Sequence, residues 1–456
     1  MCQKPANNSS LFTFSLCLQG IITIFIFGTV GIMFSQNIEP TLPTPGTFQS
    51  YGTLQPTQPI NVLSYFSSSP SNDRDRYARQ MAMHEADIRK VEAEEKAKRE
   101  IIQDAFTTMN GIPSALPSFA NSKGSQHYRN AFAELSVMRE NTFSAKKATF
   151  IVENAFYENE KDYSEFEQTI KQTGDFLREK MKELDLDVKS NLAKNYLLFQ
   201  FFADTLEIKS KGLKHFLFEY DFDDYWGRKD WSKMFVHKLL LTGKGQCNSL
   251  PRLYLILAEE IGAVAHLALS PNHSYIKFPD DSGTWYNIEL TNHMLTTDAF
   301  ILNSGYVKAE AIQNKIFMHP MNEQELLSNY FAELAVGYIR KYGYDDFAEE
   351  VLNTALEIDP KNIPAQLSKA NLQTVKLKYA TEQLGITKEN FDEIRHYPQL
   401  VKLYKSVLEQ YETVDTLGYA EMPAEQYEKW LASVNEQEAR QLNESFGKKS
   451  IKQKKD

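Results

Sequence analysis

A thiol, an imidazole and a carboxylate stand in that chain order at Cys247, His273 and Glu289, and together they could carry out acyl transfer through a covalent intermediate. Cys247 closes the stretch GKGQC. It is followed by Leu250, Leu253, Tyr254, Leu257, Ala258 and Ile261 at three-and-four spacing, which predicts a helix with one buried face. Pro251 has no amide hydrogen and is tolerated only within the first four helical positions. Taking residues 248–251 as those positions predicts Cys247 at the N-cap, where the positive end of the helix dipole favours a thiolate. Gly243 and Gly245 read as residues that let the chain turn tightly and a substrate backbone approach.

A thiolate nucleophile needs a base that a third group holds in place. The stretch SPNHSYIKFPDDSGTWYNIELT predicts two strands around the turn PDDSG. A pivot at Asp281 sets His273 directly opposite Glu289, with Cβ atoms about 4.5–5.5 Å apart, close enough for the carboxylate to hold one imidazole tautomer. A slip of one residue would put them on opposite faces. His266, on AVAHLALS, is a rival base, although alternation in a half-buried strand also explains it. For the developing oxyanion the candidates are the Cys247 amide and the side chains of Gln246, Tyr225, Trp226 and Trp231; for the aromatic ones core packing is the competing explanation. There is no H-E-x-x-H, no cysteine cluster and no Walker or dinucleotide glycine pattern, and His266, His293 and His319 lack ligand spacing. Neither a metal nor a cofactor is expected.

The local sequences GKGQCNSLPRLY, PNHSYIKF and WYNIELT resemble the transglutaminase-like superfamily over about residues 145–318, with 225–292 the specific part. The resemblance implies a papain-type fold in which Cys247 is the nucleophile, His273 the base and Glu289 the orienter. Two features depart from the family. Its third member is most often Asp, although a bacterial subset reads lnlE here, and the interval from Cys247 to His273 is short. The resemblance therefore implies neither protein crosslinking nor a calcium requirement.

The chain that must position these groups has 456 residues, 42% of them hydrophobic, enough for two or three domains with real cores. A formal charge of −10 argues against a nucleic-acid binder. Residues 11–34 are uncharged and almost wholly apolar. Their length suits a membrane anchor and their polar exit at Ser35 and Gln36 suits a cleaved export signal, so segment 1–36 reads as either. Both place the bulk of the chain outside the cytoplasm, and residues 11–34 are the only predicted membrane contact. Cys2 and Cys17 fall in that leader, which leaves Cys247 the lone cysteine of the mature chain. In an oxidising compartment an unpaired thiol needs burial or a use. The sequon Asn272-His273-Ser274 encloses the base, and a glycan there would block the site, which favours a bacterial periplasm or cell envelope.

Residues 37–73 read as a Pro/Ser/Thr-rich tether. Residues 74–120 read as a charged surface helix and linker, with Tyr77, Met81, Ile88 and Val91 in heptad-like spacing. A domain at 121–320 places amphipathic helices first and short strands only after the Cys247 helix, an α+β order. A helical region follows at 321–440, where Ala348, Leu352, Ala355 and DPKNIPA resemble one tetratricopeptide unit, and a basic tail closes the chain at 441–456. The expected function is an exported thiol enzyme acting on a peptide or protein, with amide hydrolysis the first choice. The alternative is a non-catalytic peptide-binding or envelope-assembly scaffold, with a protein partner on the C-terminal helices.

Overall fold

Short polar side chains start half of the described α-helices by accepting the first free backbone amides. In the computed structural model, which describes residues 85–86, 88–98, 115–140, 142–302, 306–430 and 432, Ser144 caps α2 (Ala145–Phe156). Asp162 caps α3 (Tyr163–Glu183) and Ser190 caps α4 (Asn191–Ala203). The expected leader, tether and basic tail lie outside the described residues. Of the charged helix, residues 88–98 are helical and exposed along their whole length. Among the described residues no helix is long and apolar enough to cross a membrane.

The helical layer opens with α1 (Ser125–Glu140), and after α4 the chain makes short strands. β1 (Leu206–Ile208) and β2 (Leu213–His215) form an antiparallel pair. β3 (Glu219–Tyr220) pairs in parallel with β4 (Lys244–Gly245), across the intervening α5 (Val236–Thr242). These four strands precede the Cys247 helix and correct the expectation that strands come only after it. At two or three residues each, they are too short to show a period of two in the sequence.

The Cys247 helix is α6 (Ser249–Ile261), and every residue from Ser249 to Ala258 is buried. One buried face was expected, and all-round burial is found, because α2, α3, α4 and α5 pack on this helix and the sheet strands β5 and β6 pack on it as well. The sheet is an antiparallel meander of β5 (His266–Ser270), β6 (His273–Pro279), β7 (Trp285–Glu289) and β8 (Met294–Thr296). Two short helices, α7 (Asp298–Leu302) and α8 (Ala309–Gln313), lead out of it. Helices combined with small sheets agree with the expected α+β class.

The C-terminal helices are α9 (Glu323–Tyr342), α10 (Asp346–Ile358), α11 (Ile363–Gln383) and α12 (Pro398–Thr416). A capping box of Asn322 and Glu325 starts α9. Ala348, Leu352 and Ala355, the small and apolar positions of the tetratricopeptide-like stretch, are fully buried in α10, which packs on α9. Helices on the two sides of residue 320 share one hydrophobic core, which runs from Tyr128 to Tyr427.

A buried arginine ties α6 to α9. Arg252 is 2% exposed; its guanidinium donates to Asn329 Oδ1 and, at 2.5 Å, to Glu333 Oε1, and it lies 4.2 Å over the Tyr330 ring. Tyr330 continues the tie to α2 through a 2.8 Å hydrogen bond with Thr149. Removing one partner of such a pair leaves an uncompensated charge in the core. Glu333→Ala is expected to cost at least about 2 kcal/mol in urea denaturation, and Arg252→Met is expected to cost less, because it keeps the volume and leaves a quarter-exposed Glu333 whose carboxyl is already pushed up toward the protonated form by burial.

Candidate active site

Cys247 is delivered by a sharp exit from α5. Gly243 adopts φ 70°, the left-handed conformation that lets the helix end there. The Glu219 amide donates to the Gly243 carbonyl at 2.9 Å and the Asp221 amide to the Gly245 carbonyl at 2.8 Å, fixing the strand that leads to the thiol. A Cβ on Gly245 would meet Ser249 Oγ at 2.9 Å and the Leu239 and Leu250 side chains at 3.0 Å. The close approach at Gly245 is thus made by the chain's own α5 and α6, and not by a substrate.

The N-cap falls on Asn248, one residue later than expected. Ser249 Oγ accepts the Gln246 amide at 2.8 Å and folds residues 246–249 into a turn, which gives Asn248 helical angles of φ −89° and ψ −54°. Pro251 is then the third helical residue, where its missing donor costs nothing. The helical ladder still reaches back to the Gln246 carbonyl, which accepts from the Leu250 amide at 3.0 Å, so Cys247 remains in the first turn. The thiol is half-buried, and the Cys247 carbonyl accepts a hydrogen bond from Ser274 Oγ on β6.

The β6–β7 hairpin pivots on Ser282, not Asp281, since Pro279 pairs with Trp285 and Ile276 with Ile288. The loop is closed by Asp280, whose Oδ1 accepts the Ser282 and Thr284 amides, and Gly283 takes the left-handed turn at φ 87°. The register is therefore two residues away from the one expected. A shift of two keeps both side chains on the same face and makes them diagonal instead of directly opposed. His273 Nε2 and Glu289 Oε2 lie 2.6 Å apart, with the two residues 6% and 1% exposed. Glu289 Oε1 accepts the Thr291 amide at 2.9 Å, so both carboxylate oxygens are engaged.

Burial disfavours charge on His273, but the Glu289 carboxylate and the adjacent Cys247 thiol outweigh it and push the imidazole up to about 10. Burial also works against ionised Glu289. Protonated His273 and the hydrogen bonds from His273 and Thr291 nevertheless hold this carboxyl below its ordinary range. The proton of the pair thus resides on the imidazole. With Nε2 committed to Glu289, Nδ1 is left without a hydrogen-bond partner in the structure, and it is the ring nitrogen free to serve the thiol.

The remaining predicted groups are placed differently. Gln246 is fully buried and its Nε2 donates to the Asp221 carbonyl at 2.6 Å, so its amide pins the strand before the thiol and is not free to meet an oxyanion. Tyr225 and Trp226 pack against Tyr427 with tilted rings, their centroids 5.6 and 5.0 Å away, and Tyr225 donates to Glu428 at 2.6 Å. Trp231 lies under Arg340, 4.0 Å from its guanidinium carbon. The rival base His266 is bonded at Nδ1 to the Met321 carbonyl at 2.9 Å. Among the described residues no group of three His, Cys, Asp or Glu side chains is placed to hold a metal ion.

Four residues of the site went unread in the sequence: Tyr220, Met422, Tyr427 and Trp430. The Tyr427 hydroxyl reaches Cys247 Sγ at 4.0 Å from a helical turn, residues 424–430, that lies far along the chain. Trp430 packs on the His273 ring at 4.7 Å and on Tyr427 at 5.6 Å, and Asn272 donates to the Met422 carbonyl at 2.9 Å. This segment closes over the thiol. The space left beside His273, between Ser270, Pro271, Met422 and Trp430, is about 10 Å³, room for no more than a water. An aromatic residue or a methionine read in isolation signals core packing, and nothing local distinguishes these four.

Comparison with known proteins finds no matching family model, no matching curated protein and no matching solved structure. What the site can do therefore follows from its geometry.

The two pKa shifts act on stability at opposite ends of the pH scale. Glu289, lowered on folding, contributes stability above its ordinary pKa of 4.5 and loses it as pH falls through the folded value. His273, raised, contributes fully below 6.5 and loses that stability as pH rises toward about 10. The pair is expected to stabilise most between about pH 5 and 6.5. In Glu289→Gln, which removes the charge that raises His273, the decline of Tm from pH 6.5 to 10 is expected to be shallower than in the wild type.

Proposed function

We propose that this chain is a transglutaminase-like thiol enzyme of acyl transfer, exported to the bacterial periplasm or cell envelope, and that it hydrolyses an amide bond in a peptide or protein. One observation carries this reading: a buried imidazole has one nitrogen held by a buried carboxylate and the other free beside a thiol at a helix start. An orienter, a base and a nucleophile in contact are what acyl transfer through a thioester needs.

In this mechanism Cys247 Sγ, its proton held by His273, attacks the substrate carbonyl carbon. The carbonyl π pair moves onto oxygen, and when it returns the C–N bond breaks and the leaving amine takes the proton from His273. A water then attacks the thioester and gives its proton to His273, and the carboxylic acid departs as the Sγ–C bond breaks. Glu289 holds the imidazole in orientation throughout and stabilises it when charged. No step requires a metal or a cofactor. A substrate group larger than water that is to sit beside His273 must first move Met422 and Trp430 aside.

That closed segment is also the observation that favours the second reading, a non-catalytic scaffold in which the groove is filled by the chain itself. The two readings differ at the thiol. Alkylation of Cys247 by iodoacetamide is expected to stay fast down to pH 6 in the wild type. In His273→Ala it is expected to fall at least about tenfold at that pH and to follow the profile of a free thiol, with a midpoint near 8.5. A thiol that already titrates near 8.5 and ignores the loss of His273 would overturn the enzyme and leave the scaffold.

A further inference from the structure

Tyr220 is the last residue of β3, and its pairing with Gly245 sets it against the strand that ends two residues before Cys247. The side chain is 6% exposed, yet its hydroxyl makes no well-formed hydrogen bond; the polar group beside it is the Tyr427 hydroxyl. A buried unpaired hydroxyl costs stability, and native folds keep few of them. The surroundings of this one point to chemistry. Burial first, and then the charge of the neighbouring Cys247, hold the phenol protonated well above its ordinary range, so the hydroxyl remains a donor across physiological pH. The Tyr427 hydroxyl borders both the Cys247 thiol and Tyr220, and so occupies the place that the segment 422–430 would vacate for a substrate.

We infer that Tyr220 is a catalytic residue: its hydroxyl donates to the substrate carbonyl oxygen as Cys247 attacks, at the position the Tyr427 hydroxyl holds in the closed chain. The inference rests on Cys247 being the nucleophile. When the Sγ–C bond forms, the π pair settles on the oxygen and Tyr220 donates a hydrogen bond to that oxyanion without surrendering its proton. When the pair returns and the C–N bond breaks, the hydrogen bond weakens again and Tyr220 is unchanged. Gln246, one of the candidates the sequence offered for this role, is committed to the Asp221 carbonyl at 2.6 Å.

Two small reagents applied to the full chain separate this role from a structural one. p-Nitrophenyl acetate acylates a thiol through an oxyanion, whereas iodoacetamide alkylates it by displacement at a saturated carbon with no oxyanion. Tyr220→Phe is expected to slow acylation of Cys247 about 100-fold, leave alkylation within about twofold of the wild type, and leave Tm nearly unchanged, since only the contact with the Tyr427 hydroxyl is lost. Acylation of Tyr220→Phe at the wild-type rate overturns the inference. Acylation and alkylation falling together also overturns it, because the hydroxyl would then be shaping the site and not stabilising an oxyanion. Both results leave the thiol-enzyme reading intact provided wild-type alkylation depends on His273. Alkylation indifferent to His273, or a wild type that p-nitrophenyl acetate does not acylate, removes that reading and the inference with it.

Discussion

Everything in the site depends on α6 being buried on every side. A helix wrapped by four others and by a sheet cannot rotate or slide without breaking many contacts at once, so the residue at its head is held in one place. Arg252 reinforces the hold: a guanidinium in the core is tolerable only while Asn329 and Glu333 face it, and this fixes α6 against α9. Cys247 inherits its position from that arrangement, and the Ser274 hydroxyl on its carbonyl links it directly to the strand that carries His273.

The second constraint is electrostatic. An imidazolium and a carboxylate buried together cost desolvation at both groups, and the cost is met only by short hydrogen bonds with few lone pairs left over. His273 and Glu289 meet that condition through a 2.6 Å contact and the Thr291 amide. His273 Nδ1 and the Tyr220 hydroxyl are among the buried polar atoms that make no well-formed hydrogen bond, and both residues interact with Cys247. A core optimised for stability alone would not leave donors and acceptors idle, and departures of this kind concentrate where a protein acts.

The contrast between His273 and Gln246 shows how far side-chain type can be read without coordinates. Both are polar, both stand at the right places in the chain to serve Cys247, and both are buried. Their roles diverge because a turn closed by Ser249 aims the Gln246 amide at Asp221, whereas the hairpin aims His273 at Glu289. The hairpin tolerated a one-residue error in its expected pivot because that moves the register by two, and strand faces repeat every two. A register shift of one would have separated the pair.

Patterns within a few residues determined what the sequence settles by itself: the apolar spacing after Cys247, the tolerance of Pro251 near a helix start, and the alternation that puts His273 and Glu289 on one face. These are local because helix and strand periods, caps and turns are set by neighbouring backbone groups. Tertiary structure alone decided that α6 is buried all round, that β3 and β4 pair across α5, and that Gln246 faces away. It also decided that Tyr427 and Trp430 come back from the far end of the chain to cover the thiol. Such contacts depend on which surfaces meet when the chain closes on itself, and an aromatic residue carries no mark of the partner it will find 180 positions away.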